Sequence, residues 1–176
     1  MASEAKPRVL FDRQRIAVTV RRLAAEIKKD YQSQDILLIG VLKGAFVFLA
    51  DLIRLLDLPL EVDFIGLSSY ARGRESSGKI QVTQPASCPI KGRDVLVIED
   101  IVDTGLTTAF LLDYLSRQKP ASLRLCTLLD KPSRRRVPVT IDYLGFSVPD
   151  KFVVGYGLDC GEKYRNLPDI CFLEDN

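Results

Sequence analysis

The sequence contains no histidine and no tryptophan, and its four cysteines are scattered. None of Cys88, Cys126, Cys160 and Cys171 belongs to a C-x-x-C pair, so a zinc site is not expected. Unpaired cysteines are typical of a reduced setting, and we expect a cytoplasmic protein. Without histidine, any acid or base in this chain has to be Asp, Glu, Lys, Tyr or Cys.

Long apolar runs and an excess of one charge are also missing. The chain has no apolar run of about 18 residues, so we expect no transmembrane helix, and its N-terminus lacks the apolar core of a secretory signal. A net charge of +2 gives no bulk attraction to nucleic acid or to a membrane, and we expect neither as a partner. The length of 176 residues, 47% of them hydrophobic, predicts a single domain over residues 1–176.

The most informative stretch reads VLVIEDIVDTGLTT and covers residues 95–108. Its β-branched start predicts a strand buried on both faces of a parallel sheet, ending at the acidic pair Glu99 and Asp100. The turn that follows contains one glycine and three hydroxyl side chains: Thr104, Gly105, Thr107 and Thr108. Backbone N–H groups, hydroxyl donors and the N-terminus of the following helix together predict a phosphate site.

Acidic residues beside a phosphate site need a separate explanation, because a phosphate would repel them. Glu99, Asp100 and Asp103 fall within five residues of one another. Sugar hydroxyls or Mg²⁺, lying between the phosphate and these acids, would use carboxylate acceptors. The alternative is that Glu99 and Asp100 are solvated loop charges and that Asp103 is a helix N-cap.

Hydrophobic periodicity predicts an alternation of helices and strands along the rest of the chain. Helices are predicted at 12–31, 45–56 and 108–119, and strands at 36–41, 60–66, 123–129 and 141–146. This order indicates an α/β fold with a mainly parallel sheet and helices on both faces. The polar segment 68–79 predicts a mobile loop or, alternatively, a hairpin, and the basic run within 133–137 predicts a solvated turn.

Polar residues follow three of the predicted strands, at Lys43-Gly44, Asp103 and Lys131. In parallel sheets ligands bind beyond the carboxyl ends of the strands, so one rim is expected to gather all three groups. The alternative for Lys131 is an exposed lysine at a strand end.

These residues resemble a known signature. Residues 95–108 resemble the ribose-phosphate-binding motif of the type I phosphoribosyltransferases, and the similarity to the hypoxanthine-guanine branch runs from about Leu37 to Arg165. The resemblance implies that family's fold, with a small purine-binding hood and a flexible lid loop. It also implies a compact form, because the chain ends soon after Cys171.

The resemblance implies a role for each matching position. The residues that match the family's binding positions for ribose and the 5-phosphate are Glu99, Asp100, Asp103, Thr104, Gly105, Leu106 and Thr107. Pyrophosphate is expected to bind at Lys43, Gly44 and Arg165. The purine is expected to bind at Lys131, Phe152, Val153 and Asp159. The lid contains Ser69 and Tyr70, and Mg²⁺ is expected on Glu99, Asp100 and Asp159.

The implied activity is purine salvage, in which the 5-phosphoribosyl group of 5-phosphoribosyl 1-pyrophosphate moves to N9 of a 6-oxopurine, hypoxanthine or guanine. Asp103 is the candidate catalytic residue, and a homodimer or homotetramer is expected. One departure is Leu106, where some relatives have lysine. The alternative from another class is a catalytically weak regulator of the same fold that binds nucleotide or RNA, although the basic run 134–136 is too short to bind RNA by itself.

Overall fold

The structure is a computed structural model that describes residues 6–32, 34–69 and 80–174. Strands and helices follow one another in the order β1 Pro7–Phe11, α1 Arg13–Tyr31, β2 Ile36–Leu42, α2 Phe46–Ile53, β3 Leu60–Ser69, β4 Ile80–Gln84, β5 Asp94–Val102, α3 Leu106–Ser116, β6 Ser122–Asp130, a 3-10 turn Pro132–Arg134, β7 Tyr143–Ser147, β8 Val153–Val154 and β9 Ile170–Leu173.

Six strands form the main sheet in the order β4-β3-β2-β5-β6-β7. Every neighbouring pair is parallel except β3 with β4, which places an antiparallel strand at one edge. β5 lies between β2 and β6 in the middle of this sheet. The predicted α/β fold with a mainly parallel sheet is therefore confirmed.

Alternation along the strands divides the apolar side chains between two faces. Leu38 and Leu96 share a core with the buried side chains of α1 and α2. Leu37 and Val95, one residue earlier on each strand, share the opposite core with α3. The helices thus cover both faces of the sheet, as predicted, and the central segments 36–41 of β2 and 95–99 of β5 are buried.

A second sheet of three short strands has the order β1-β9-β8 and is antiparallel. It contains Val153, one of the predicted purine contacts, and so corresponds to the expected hood. β1 and β9 were not predicted, because Pro7 pairs with Leu173 at the other end of the chain and neither segment has a strong local pattern.

Several predicted boundaries are wrong. β5 does not end at the acidic pair but continues to Val102, since β6 pairs with it as far as Asp130. α3 begins at Leu106, α2 ends at Ile53, and β7 starts two residues later than predicted. β4 was not predicted; it pairs antiparallel with β3.

The predicted lid falls mostly outside the described residues. Ser69 ends β3, whereas Tyr70 and the segment up to residue 79 are not described, so the lid stays a prediction. Among the helices that the structure describes, none is long and apolar enough to cross a membrane. All four cysteines are free thiols. The cytoplasmic location stays a prediction.

Candidate active site

A cavity of about 280 Å³ opens where β2 and β5 end. It is lined by ten of the residues predicted from the sequence: Lys43, Gly44, Glu99, Asp100, Asp103, Thr104, Gly105, Thr107, Asp159 and Arg165. These residues come from three distant parts of the chain, and the parallel sheet gathers them at one rim.

The phosphate turn lies at the floor of this cavity. Gly105 has a φ of +83° and is the N-cap of α3, so the chain enters the helix through a left-handed residue. The Leu106 N–H donates to Thr104 Oγ1 at 3.4 Å, and the Ala109 N–H donates to the Gly105 carbonyl at 2.8 Å. The first N–H groups of a helix have no acceptor within it, and Thr107 and Thr108, from the first turn of α3, line the cavity. An anion bound there would accept from them.

The basic run after β6 supports the phosphate turn from behind. The Arg136 and Val137 N–H groups donate to the Thr104 carbonyl at 2.9 and 3.3 Å. Arg135 is largely buried, pairs with the Asp130 carboxylate and contacts the side of the turn. The predicted solvated turn is confirmed for Ser133, Arg134 and Arg136, which are exposed, but it is wrong for Arg135. Local sequence could not show this exception, because only tertiary packing covers one member of the charged run.

The acidic pair is buried rather than solvated. Glu99 is only 5% exposed, and burial, together with the neighbouring Asp100 charge, raises its pKa well above the ordinary value. Burial also raises the pKa of Asp100, whose N–H donates to Glu99 Oε1 at 3.2 Å. The alternative of two solvated loop charges is wrong. Two adjacent acids that resist ionisation are suited to bind hydroxyl groups or a cation.

Asp103 is not the helix N-cap, because that position is Gly105. Its carboxylate faces Arg134, with Oδ1 3.3 Å from the guanidinium Nε. Oδ1 is buried and accepts no hydrogen bond from the residues that the structure describes. Arg134 also lies 3.5 Å from Asp150, so one arginine is paired with two acids at this rim. Arg134 was not predicted as a site residue, and the only signal was its place three residues after Lys131.

The loop after β2 packs directly against the acidic pair. The peptide bond between Leu42 and Lys43 is cis. A Cβ atom at Gly44 would overlap the carboxylate of Asp100, so only glycine fits this position. The Lys43 Nζ atom extends to Glu162 Oε2 at 2.9 Å.

Arg165 joins the same group of charges from the far end of the chain. Its Nη1 donates to the Gly157 carbonyl at 2.8 Å, and its Nη2 lies 2.9 Å from Asp159 Oδ1. Glu162 Oε2 is 3.4 Å from the same Nη2. Glu162 was not predicted as a site residue.

A second cavity, of about 360 Å³, adjoins the first. Lys131 lines it with only 5% exposure, and its Nζ donates to the Lys151 carbonyl at 2.9 Å. The alternative of an exposed lysine is therefore wrong. Phe152 is 55% exposed and Val153 is buried, so an apolar ring face remains available at the opening.

The two cavities share Asp100, Ile101, Asp103 and Asp159 in their linings. A ligand in one would therefore meet a ligand in the other beside Asp103. One cavity has an anion-binding turn, and the other has an ammonium group beside an exposed aromatic ring. This arrangement suits the joining of a phosphorylated group to a flat heterocycle.

Leu106, also predicted for the phosphate turn, is the first residue of α3 and is 39% exposed. Within the parts of the chain that the structure describes, no three His, Cys, Asp or Glu side chains form a cluster that would hold a metal ion. Mg²⁺ at phosphate sites usually takes one or two carboxylates and completes its shell with phosphate oxygens and water. The adjacent Glu99 and Asp100 fit that kind of site.

The chain is similar to known proteins over almost its whole length. The family described as "Phosphoribosyl transferase domain" matches residues 9–160. The hypoxanthine-guanine phosphoribosyltransferase of Bacillus subtilis is 47% identical over 95% of this chain and 93% of its own. That of Aquifex aeolicus is 46% identical over 97% and 96%.

Solved structures agree with the sequence relatives. A crystal structure of a hypoxanthine-guanine phosphoribosyltransferase from Bacillus anthracis, with HEPES in the active site, superposes with a TM-score of 0.91. It is 46% identical and covers 97% of this chain and 100% of that one. These enzymes give no support to the alternative of a catalytically weak regulator. The chain belongs to the phosphoribosyltransferase domain family, in its hypoxanthine-guanine branch.

Proposed function

We propose that this protein transfers the 5-phosphoribosyl group of 5-phosphoribosyl 1-pyrophosphate to N9 of hypoxanthine or guanine, releasing pyrophosphate and forming IMP or GMP. The observation that carries this proposal is the junction of the two cavities at Asp100, Asp103 and Asp159. We assign both cavities to one domain over residues 1–176.

The donor would lie in the cavity above the phosphate turn. Its 5-phosphate accepts from the N–H groups and hydroxyls of the turn between Asp103 and Thr107. Glu99 and Asp100 accept from the ribose hydroxyls, directly or through Mg²⁺. Lys43, Gly44 and Arg165 bind the pyrophosphate.

Mg²⁺ is the proposed cofactor, with Glu99, Asp100 and Asp159 as the residues that would hold it. When bound, it neutralises charge on the leaving pyrophosphate. Asp159 already accepts from Arg165 and from the Glu162 N–H at 2.8 Å, so its carboxylate is held towards the same cavity.

The chemical step is a substitution at C1 of the ribose. The bond from C1 to the pyrophosphate oxygen breaks with its electron pair, and N9 of the purine forms the new bond. The positive charge that develops on the ribose is stabilised by the carboxylates beneath it. The purine must also lose a proton, and we assign its removal to Asp103, whose carboxylate lies where the cavities meet.

Lys131 is proposed to recognise the substituent at position 6 of the purine. Its Nζ uses one of three donors on the Lys151 carbonyl, which leaves donors for the 6-oxo group of hypoxanthine or guanine. Adenine has an amino group at that position and would leave the remaining donors of the buried ammonium without an acceptor on the base. The exposed ring of Phe152 provides the stacking surface, and Val153 contributes a backbone contact.

An assay with 5-phosphoribosyl 1-pyrophosphate, Mg²⁺ and a panel of bases tests the proposal. Hypoxanthine and guanine should give nucleotide and pyrophosphate in equal amounts, whereas adenine should give almost none. If no base in the panel yields a nucleotide, the proposed function is wrong.

We also propose a homodimer or homotetramer. An apolar groove of about 790 Å³ between α1 and α2 exposes Phe46 and Leu55, at 44% and 40%, and such patches mark interfaces. Because Phe46 follows closely after Gly44, a second copy seated there would lie beside the pyrophosphate loop. Sedimentation analysis that gave only monomer at assay concentration would contradict this assignment.

A further inference from the structure

Glu162 lies at the tip of a tight hairpin on the rim of the donor cavity. Cys160 and Lys163 exchange two backbone hydrogen bonds, of 3.1 and 3.2 Å, around the two central residues. Gly161 and Glu162 both have positive φ, at +59° and +66°. Such turns favour glycine or asparagine at the central positions, so a glutamate in the left-handed region is unusual. Unusual backbone of this kind tends to be found at functional sites.

The Glu162 side chain leaves this tip and binds two cations. Its Oε2 accepts from Lys43 Nζ at 2.9 Å and lies 3.4 Å from Arg165 Nη2. The hydrogen bond from Lys43 lowers the pKa of the Glu162 carboxyl, which is therefore ionised at neutral pH. Lys43 lies 119 residues before Glu162 in the chain, and Arg165 lies three residues after it. A single carboxylate therefore connects two separate parts of the site.

Lys43 and Arg165 are also the cations proposed above for pyrophosphate. A carboxylate on the same two groups reproduces the charge and the acceptor chemistry of one phosphate. It cannot remain there when a highly charged pyrophosphate arrives, since like charges at such distances repel. The carboxylate and the pyrophosphate therefore compete for the same donors.

We propose that Glu162 is an internal stand-in for pyrophosphate. It holds Lys43 and Arg165 in the free enzyme, moves aside when the donor binds, and returns as the product pyrophosphate leaves. This inference rests on the proposed function and adds a positioning residue to it.

The surroundings of Glu162 suit such an exchange. Its side chain is 64% exposed, so it can rotate into solvent without movement of the backbone. Arg165 stays in place when Glu162 leaves, because the Gly157 carbonyl and Asp159 hold its guanidinium. The Lys43 side chain is 65% exposed and its Nζ makes no other hydrogen bond among the described residues, so Glu162 orients this ammonium group in the free enzyme.

Two variants at position 162 distinguish the effect of the contact with the two cations from the effect of the negative charge itself. Glu162→Gln removes the charge and weakens the contact. Glu162→Asp keeps the charge, but its side chain is one methylene shorter and cannot reach both cations. The left-handed backbone tolerates aspartate, so the hairpin should be retained.

The measurement is the dissociation constant of inorganic pyrophosphate with Mg²⁺, by titration calorimetry on the whole protein. We expect both variants to bind pyrophosphate about two- to fivefold more tightly than the wild type, the range typical of an exposed ion pair. The gain should shrink at high salt. It should also shrink in a Lys43→Met background, where Glu162 has lost its main partner. The KM for hypoxanthine should not change.

Each result has a distinct meaning. Equal or weaker pyrophosphate binding in Glu162→Gln would overturn the inference. So would a Glu162→Asp variant that binds like the wild type while Glu162→Gln binds more tightly, because that result assigns the effect to charge at a distance. If the wild-type protein binds no pyrophosphate and forms no nucleotide, the proposed function itself has failed.

Discussion

Individual side chains in this protein depend on immediate neighbours for their chemistry. Lys131 is a buried ammonium whose orientation is set by the carbonyl of Lys151. Asp103 has a buried oxygen without a hydrogen bond and an arginine at its side. Both residues therefore line the second cavity, where their polar atoms are available to a ligand.

Replacement of Asp103 tests its role as the base. Asp103→Asn should lower kcat by about 10²–10⁴-fold, because an amide cannot take the purine proton. Donor affinity should remain, since the N–H groups of the phosphate turn are intact. Single-turnover rates and donor binding are measured separately, with Asp113→Asn on the exposed face of α3 as the matched control. Wild-type turnover in Asp103→Asn would rule out this role.

Replacement of Lys131 tests whether this side chain recognises the substituent at position 6 of the purine. Lys131→Met should lower the ratio of kcat/KM for hypoxanthine to that for adenine, mainly through weaker use of hypoxanthine. The expected loss is about 10-fold or more, as for an unpaired buried group worth about 1–3 kcal/mol. Lys91→Met, at an exposed turn, is the control. A ratio equal to that of the wild type would show that another group reads this position.

At the scale of elements, the phosphate turn depends on a segment that follows a different strand. The segment 134–137 after β6 donates two N–H groups to the Thr104 carbonyl and lies against Gly105. A Cβ atom at Gly105 would lie 2.8 Å from the Val137 carbonyl oxygen. The turn and this segment therefore have to move together.

A comparison of two glycines distinguishes the effect of this contact on the phosphate turn from the effect of backbone strain. Gly105 and Gly92 both have positive φ, at +83° and +73°, but a Cβ atom at Gly92 would meet nothing within 4 Å. Alanine at either position has the same left-handed penalty. Only Gly105→Ala should also displace the phosphate turn, and we expect its kcat/KM for the donor to fall by about 10- to 10²-fold. Comparable kinetics in Gly105→Ala and Gly92→Ala would show that the contact is unimportant.

For the molecule as a whole, the buried acid Glu99 of the candidate site reduces the stability of the folded protein. Burial and the adjacent Asp100 charge raise the pKa of Glu99 above its ordinary value of 4.5, so the folded state retains a proton that the unfolded chain releases. The contribution of this group to the free energy of unfolding therefore falls as the pH rises from about 4.5 through the raised pKa.

Glu99→Gln should remove this penalty and raise Tm. We expect a gain of about 2 °C or more at pH 8, as about 1 kcal/mol produces in a chain of this size, and a smaller gain at pH 5. Donor binding should weaken, because the amide has no negative charge and offers one acceptor oxygen in place of the two of the carboxylate. Thermal unfolding at both pH values provides the measurement, with Glu26→Gln on exposed α1 as the control. A lower Tm for Glu99→Gln at pH 8 would contradict this account.

Local patterns were sufficient to predict the central strand, the phosphate turn and the helices on both faces. Strand β2 and helix α1 agree with their predicted ranges within two residues, since apolar periodicity and the cap at Asp12 are local signals. The predicted positions Lys43, Asp103 and Lys131 lie at one rim because parallel strands end on the same side.

Contacts between distant segments account for the features that local patterns missed. β1 pairs with β9 across the length of the chain, and β9 also pairs with β8, so both strands depend on long-range partners. Arg134 and Arg135 form a basic run in the sequence, yet the fold places one beside Asp103 and the other behind the phosphate turn. Glu162 has no distinctive sequence context, and only the folded protein brings it to Lys43, 119 residues away in the loop after β2. Periodicity and turn chemistry act within a few residues, whereas burial, charge pairing and strand pairing here join residues more than a hundred positions apart.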